Sequence, residues 1–130
     1  MNPTRNADAA AEAEDYFFAQ CPDPRAEPVL ATGELDGVVL LYFEDVQTIA
    51  TLRAGHQWGV RFPQVVVVLD AEGVPERMVR IEEDETGERT LCLVGRDGTH
   101  VSFGPLGPTD APRFLAVAAE ILRGEAESAA

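Results

Sequence analysis

The sequence predicts an α+β domain: a mixed or antiparallel sheet of about five strands, with an N-terminal helix, a short internal helix and a C-terminal helix. Three observations carry this. Two unbroken apolar runs, VVLLYF at 38–43 and QVVVVLD at 64–70, are made of β-branched, aromatic and other large apolar residues, as in strands covered on both faces. Three glycine-terminated turns, DAEG at 70–73, DETG at 84–87 and RDG at 96–98, separate short β-capable runs. Both ends of the chain carry apolar residues at helical spacing.

The first helix is predicted over residues 7–20, with Asn6 as its cap and acids crowding its early turns, where the helix dipole favours them. Ala10, Ala13 and Phe17 form its apolar stripe, extended by Phe18. CPDP at 21–24 ends it, because proline cannot continue the hydrogen-bond ladder. The stretch AEPVLATGELDG that follows is turn-rich, with weak support for a strand at 28–31.

After the strand at 38–43, DVQTIATLRAG fits a short helix over 45–54, with Asp45 as cap, Val46, Ile49 and Leu52 on one face and Gly55 as stop. The segment from 43 to 64 is long enough for a crossover, so a parallel pairing of the two buried strands is expected. Strands at 76–83, 89–95 and 99–104 then continue as a meander from the second apolar run. The closing helix follows GPLGPTD, capped by Thr109 or Asp110, with Pro112 in its first turn. Phe114, Val117, Ala118 and Ile121 make its stripe, widened by Leu115 and Leu122, and Gly124 is its expected end. Residues 1–6 and 125–130 are expected to be disordered tails of a single domain spanning 1–130.

One segment admits a second reading. PERMVRIEEDETG can be drawn as a helix with Pro75 near its start, Val74, Met78 and Ile81 on one face and Gly87 as C-cap. The order then becomes β-α-β-α-β-β-α, which is similar to a thioredoxin-like domain, and TLCLVGRDGTHVSFG followed by a helix looks like its closing unit. The redox pair such a domain carries after its first strand is replaced by Glu44 and Asp45, and its proline by Glu88 and Arg89. The resemblance therefore implies an accessory protein without dithiol exchange. The recurrence of glycine turns favours the strand.

Hydrophobic residues make up 45% of the 130 residues, too many for a disordered chain. The formal charge is −13, and all ten basic residues are arginine. Phosphate neutralisation needs a basic patch, so nucleic acid is an unsuitable ligand, and an acidic membrane surface would repel the chain. A basic protein partner would be steered toward it. With no long apolar run and no basic-then-apolar leader, a cytoplasmic location is expected, with Cys21 and Cys92 as free thiols.

The densest charge cluster is RIEEDETGERTLC at 80–92, where Glu82, Glu83, Asp84, Glu85 and Glu88 surround one glycine. A calcium loop needs twelve residues with spaced oxygen ligands and a closing bidentate acid, which this stretch lacks. A hairpin tip in water explains it better, and acids there discourage edge-to-edge pairing. Glu82, Glu83, Asp84 and Glu85 then become candidates for contact with a basic partner.

The other candidate surface is aromatic. Trp58, Phe62 and Pro63, with Arg53, Arg61 and His56 nearby, make a patch that either plugs the core or anchors a partner, since Trp and Arg dominate interface hot spots. His56 beside Trp58 could instead edge a small-molecule pocket, although no catalytic set completes it. His100 falls on a late strand, and no ligand spacing along the chain links either histidine to a cysteine. Cys92, between Leu91 and Leu93, reads as a buried, inert thiol, and Cys21 as the more exposed one. Ser102 and Ser128 lack a nucleophile context, and Asp70 reads as a turn former. No metal or cofactor is expected.

The resulting expectation is a non-catalytic acidic protein-binding module of adaptor, chaperone-like or immunity-like kind. A small-molecule or thioredoxin-like accessory protein is the alternative, and a homodimer covering an open apolar face is a third reading.

Overall fold

The computed structural model describes residues 3–22, 31–46, 61–84 and 86–129. Helix α1 (Pro3–Gln20) precedes six strands, β1 (Ala31–Leu35), β2 (Val38–Val46), β3 (Phe62–Leu69), β4 (Pro75–Glu83), β5 (Arg89–Gly95) and β6 (His100–Pro105), and helix α2 (Ala111–Ala129) closes the chain. The strands lie in chain order in one sheet, each antiparallel to its neighbours. The α+β class holds, with six strands rather than about five.

The sixth strand is β1. Leu35-Asp36-Gly37-Val38 is a two-residue hairpin in which Asp36 (φ 51°) and Gly37 (φ 81°) both adopt the left-handed conformation. Such a turn matches the twist of the strands it joins, and Asp-Gly is among its preferred sequences.

The parallel crossover between the apolar runs does not occur. Val46 pairs with Phe62 and Leu40 with Val68, so β2 and β3 run antiparallel, and the connection leaves and re-enters the sheet at the same end. Asp45 is a β2 residue with φ 54° rather than a helix cap, and it lies beside Pro63 where the ladder lacks a donor. Val46 likewise belongs to β2, and residues 47–54 of the short helix expected over 45–54 fall outside the described residues.

Residues 75–83 form strand β4, which removes the helical reading and with it the thioredoxin-like order. The three turns that follow β3 are built alike. Gly73 N–H donates to the Asp70 carbonyl, Gly87 to Asp84 and Gly98 to Gly95, each at 3.0 Å. All three closing glycines have positive φ, between 79° and 95°. This is a three-residue hairpin loop whose last residue must be left-handed. Gly95, which opens the third turn, is glycine for want of space, since a Cβ there would come within 2.5 Å of the Asp97 carboxylate.

Both sheet faces are covered. Phe114, Ala118 and Leu122 of α2 pack on Leu40, Tyr42, Val66, Val68, Val79, Ile81, Leu91 and Leu93. Phe17 packs on the other face with Leu41, Phe43, Phe62, Val65, Val67, Met78 and Val94. Central strand β3 thus buries both sets of its side chains, which accounts for the unbroken Val65–Val68 run. Phe18 does not extend the α1 stripe. It is 40% exposed, edge-on to Phe17. Asn6 lies inside α1, which starts at Pro3, a residue whose missing N–H costs nothing in the first turn. Gly124 does not end α2, because one glycine costs about 1 kcal/mol in a helix and good helix formers follow it. Both helices therefore enter the stretches expected as tails.

A buried polar network locks α2 to the sheet. Gln64 Nε2 donates to Tyr42 Oη (2.9 Å) and to the Thr109 carbonyl (2.8 Å), and Tyr42 Oη donates to Glu44 Oε1 (2.7 Å). Burial, followed by the nearby carboxylates, pushes the Tyr42 phenol up to about 12 despite the Gln64 bond. Asp110 accepts from Arg113 N–H at 2.9 Å and caps α2.

Candidate functional site

The acidic cluster resolves into separate jobs. Asp84 builds the β4–β5 turn, its Oδ1 accepting from Thr86 N–H, Thr86 Oγ1 and Glu88 N–H at 2.6–3.0 Å. These bonds, the Thr86 hydroxyl first, hold its carboxyl below the usual range. Asp70 and Asp97 do the same in their turns, held down chiefly by Val74 N–H and by Thr99. Glu83 pairs with Arg89 at 2.7 Å. Glu82 turns inward. The stretch is the tip and flank of a hairpin, with Glu88 exposed and Glu85 outside the described residues.

Glu82 belongs to a charged group on the α1 face. Alternate residues of a strand share a face, so Arg80 and Glu82 of β4 lie on the side of Met78. The ladder places Cys92 opposite Arg80 and Ser102 opposite Cys92, with His100 one step along, opposite Val94. Arg80, 5% exposed, lays its guanidinium over the Phe62 ring at 4.1 Å. Its Nε and Nη2 both donate to Glu82 Oε2, at 2.9 and 2.8 Å. His100 Nε2 lies 3.1 Å from the same oxygen. Burial alone would raise Glu82, but the Arg80 charge and bonds, with His100, outweigh it and hold the carboxyl below its usual value. Burial, then the Glu82 charge, pushes the Cys92 thiol up to about 11. Cys92 is therefore buried and unreactive as a nucleophile.

The aromatic patch is only partly in view. Phe62 is a core residue, 5% exposed beneath Arg80, so it presents no surface to a partner. Arg61 is exposed and extends the β3–β4 pairing through two backbone bonds with Glu83 at 2.8 Å. Arg53, His56 and Trp58 lie outside the described residues. The exposed aromatics that sequence reasoning missed are Tyr16 (63%) and Phe18 on α1 and Phe103 (42%) on β6. Phe103 is the extra residue of a bulge before Gly104, a feature that disrupts pairing on an edge strand.

The Glu82–Cys92–His100 grouping had a sequence signal that spacing rules do not test. Once the two glycine turns set the register, these residues fall on one face of three adjacent strands. Among the described residues no helix is long and apolar enough to cross a membrane. Comparison with protein-family models, with curated proteins and with solved structures finds no match to this chain.

Proposed function

We propose that the chain is a non-catalytic module that binds a basic protein partner, acting in the cytoplasm. The observation that carries this is the exposed surface of α1. Tyr16 and Phe18 stand exposed on opposite flanks of the helix among Glu12, Glu14 and Asp15, while Phe17 between them holds it to the sheet. Aromatic rings ringed by acids suit a partner that offers an apolar pocket with a basic rim. The charge of −13 would steer such a partner over distance. Arg53, His56, Trp58 and Arg61 supply a second contact in this reading, and a second copy of the chain is an alternative mate. Glu82, Glu83 and Asp84 contribute mainly through their field, since one oxygen of each is already held by an internal partner.

The test is capture of the partner from the native host with identification by mass, followed by stopped-flow association at rising salt. The rate should fall steeply with salt, and the Tyr16→Ala/Phe18→Ala double variant should dissociate faster. A salt-independent rate together with an unchanged affinity in that variant would refute the proposal.

A small-molecule reading has one observation in its favour. An open cleft of about 340 Å³ is lined by Glu76, Arg77, Arg96 and Asp97, and the buried Arg77 Nε there has no hydrogen-bond partner. A small carboxylate would pair with the Arg77 and Arg96 guanidiniums that line the cleft, and a thermal shift lost in Arg77→Met would support it.

A further inference from the structure

We propose that Glu82, Cys92 and His100 form a binding site for a zinc-type divalent cation. One ligand atom from each, a carboxylate oxygen, the thiol sulfur and an imidazole nitrogen, lies within 4.8 Å of the other two. The three come from adjacent strands β4, β5 and β6, so the sheet holds their backbones in fixed register. A tetrahedral zinc ion with bonds of about 2.0–2.3 Å sets its ligands about 3.3–3.8 Å apart. The cluster must close by about 1 Å to meet that geometry. His100 and Glu82 already lie 3.1 Å apart, so the closing is toward the Cys92 sulfur, and His100, with its side chain 50% exposed, is the least enclosed of the three.

The donor set selects the ion. Thiolate with imidazole suits zinc, whereas calcium and magnesium demand oxygen ligands. On binding, the Cys92 S–H bond breaks, a metal–sulfur bond forms and the proton passes to solvent, because a coordinating thiol is deprotonated outright. Thiolate and carboxylate bring two negative charges to the ion, and with the Arg80 guanidinium paired to Glu82 the loaded site carries one net positive charge. The second shell is already in place. Arg80 grips Glu82 Oε2 with two bonds, and Ser102 stands directly across the ladder from Cys92. Three protein ligands leave a fourth position for water. This inference does not depend on the partner-binding reading.

Chelator-stripped protein titrated with cobalt(II) tests it. A thiolate-to-cobalt charge-transfer band should appear in the near ultraviolet and bleach when zinc displaces cobalt. The band should vanish in Cys92→Ser and persist in Cys21→Ser. His100→Ala should weaken cobalt affinity at least about tenfold, the scale on which metal sites respond to changes among their supporting groups. His100 is exposed, so that variant keeps the fold and the test stays decisive. Absence of the band, its survival in Cys92→Ser, or an affinity unmoved by His100→Ala would each overturn the proposal.

Discussion

Gln64→Leu should destabilise the chain by roughly 2–3 kcal/mol, although leucine is the more apolar residue. Gln64 is 5% exposed in the core beneath α2. Its amide bonds to Tyr42 Oη at 2.9 Å and to the Thr109 carbonyl at 2.8 Å. Each lost bond costs about 1 kcal/mol net, and the part-buried Thr109 carbonyl, left without this donor, adds about 1 more. The better burial of leucine offsets only part of that sum. Tyr42→Phe should cost less, about 1 kcal/mol, because Gln64 keeps Thr109 and Glu44 is exposed enough to rehydrate. The double variant should cost less than the sum, since both changes remove the same bond. Urea unfolding of the four proteins at one pH measures all three quantities. A Gln64→Leu variant within about 0.5 kcal/mol of the parent, the range of a neutral surface change, would refute this account of how α2 is held.

Other consequences follow from particular residues. Gly98→Ala should destabilise more than Gly73→Ala in urea unfolding. Both positions have positive φ, but a Cβ at Gly98 meets Ala13 at 3.3 Å, whereas Gly73 faces open space. The strain shared by both is about 1 kcal/mol or more. At pH 8 a thiol reagent should label one cysteine fast. That is Cys21, because Cys92 is buried and its thiol stands at about 11, and the fast phase should vanish in Cys21→Ser. The lowered carboxyls of Asp70, Asp84, Asp97 and Glu82 make stability a function of acid pH. A depressed folded-state pKa adds stability above the unfolded value of about 4, and that stability is lost as pH falls through the lower folded value. Urea midpoints should therefore drop below about pH 4, and less steeply in Asp97→Asn, which keeps an acceptor but loses the titration.

The hairpin turns explain how much of the fold was readable from residues alone. Asp-x-x-Gly at 70–73 and 84–87 encodes a left-handed closing residue locally, so these turns and the strands around them needed no tertiary information. The same chemistry stands in Asp36-Gly37, yet β1 was not expected as a five-residue strand, because ATGEL has little strand propensity and takes its place only by pairing with β2. The direction of β3 against β2 was likewise undetermined. An apolar run buried on both faces has no alternation to report its neighbours, and a long connection permits either sense.

The sequence by itself determined the α+β class, the apolar runs that had to be covered, the Asp and Gly turns and the strong negative charge. These depend on propensities and composition, which act within a few residues. Tertiary structure decided which strands are neighbours, that Phe62 is core while Tyr16 and Phe18 are surface, and that Glu82, Cys92 and His100 meet on one face. Register across a sheet brings together residues separated by many positions in the chain, and that distance is closed only when the whole core packs.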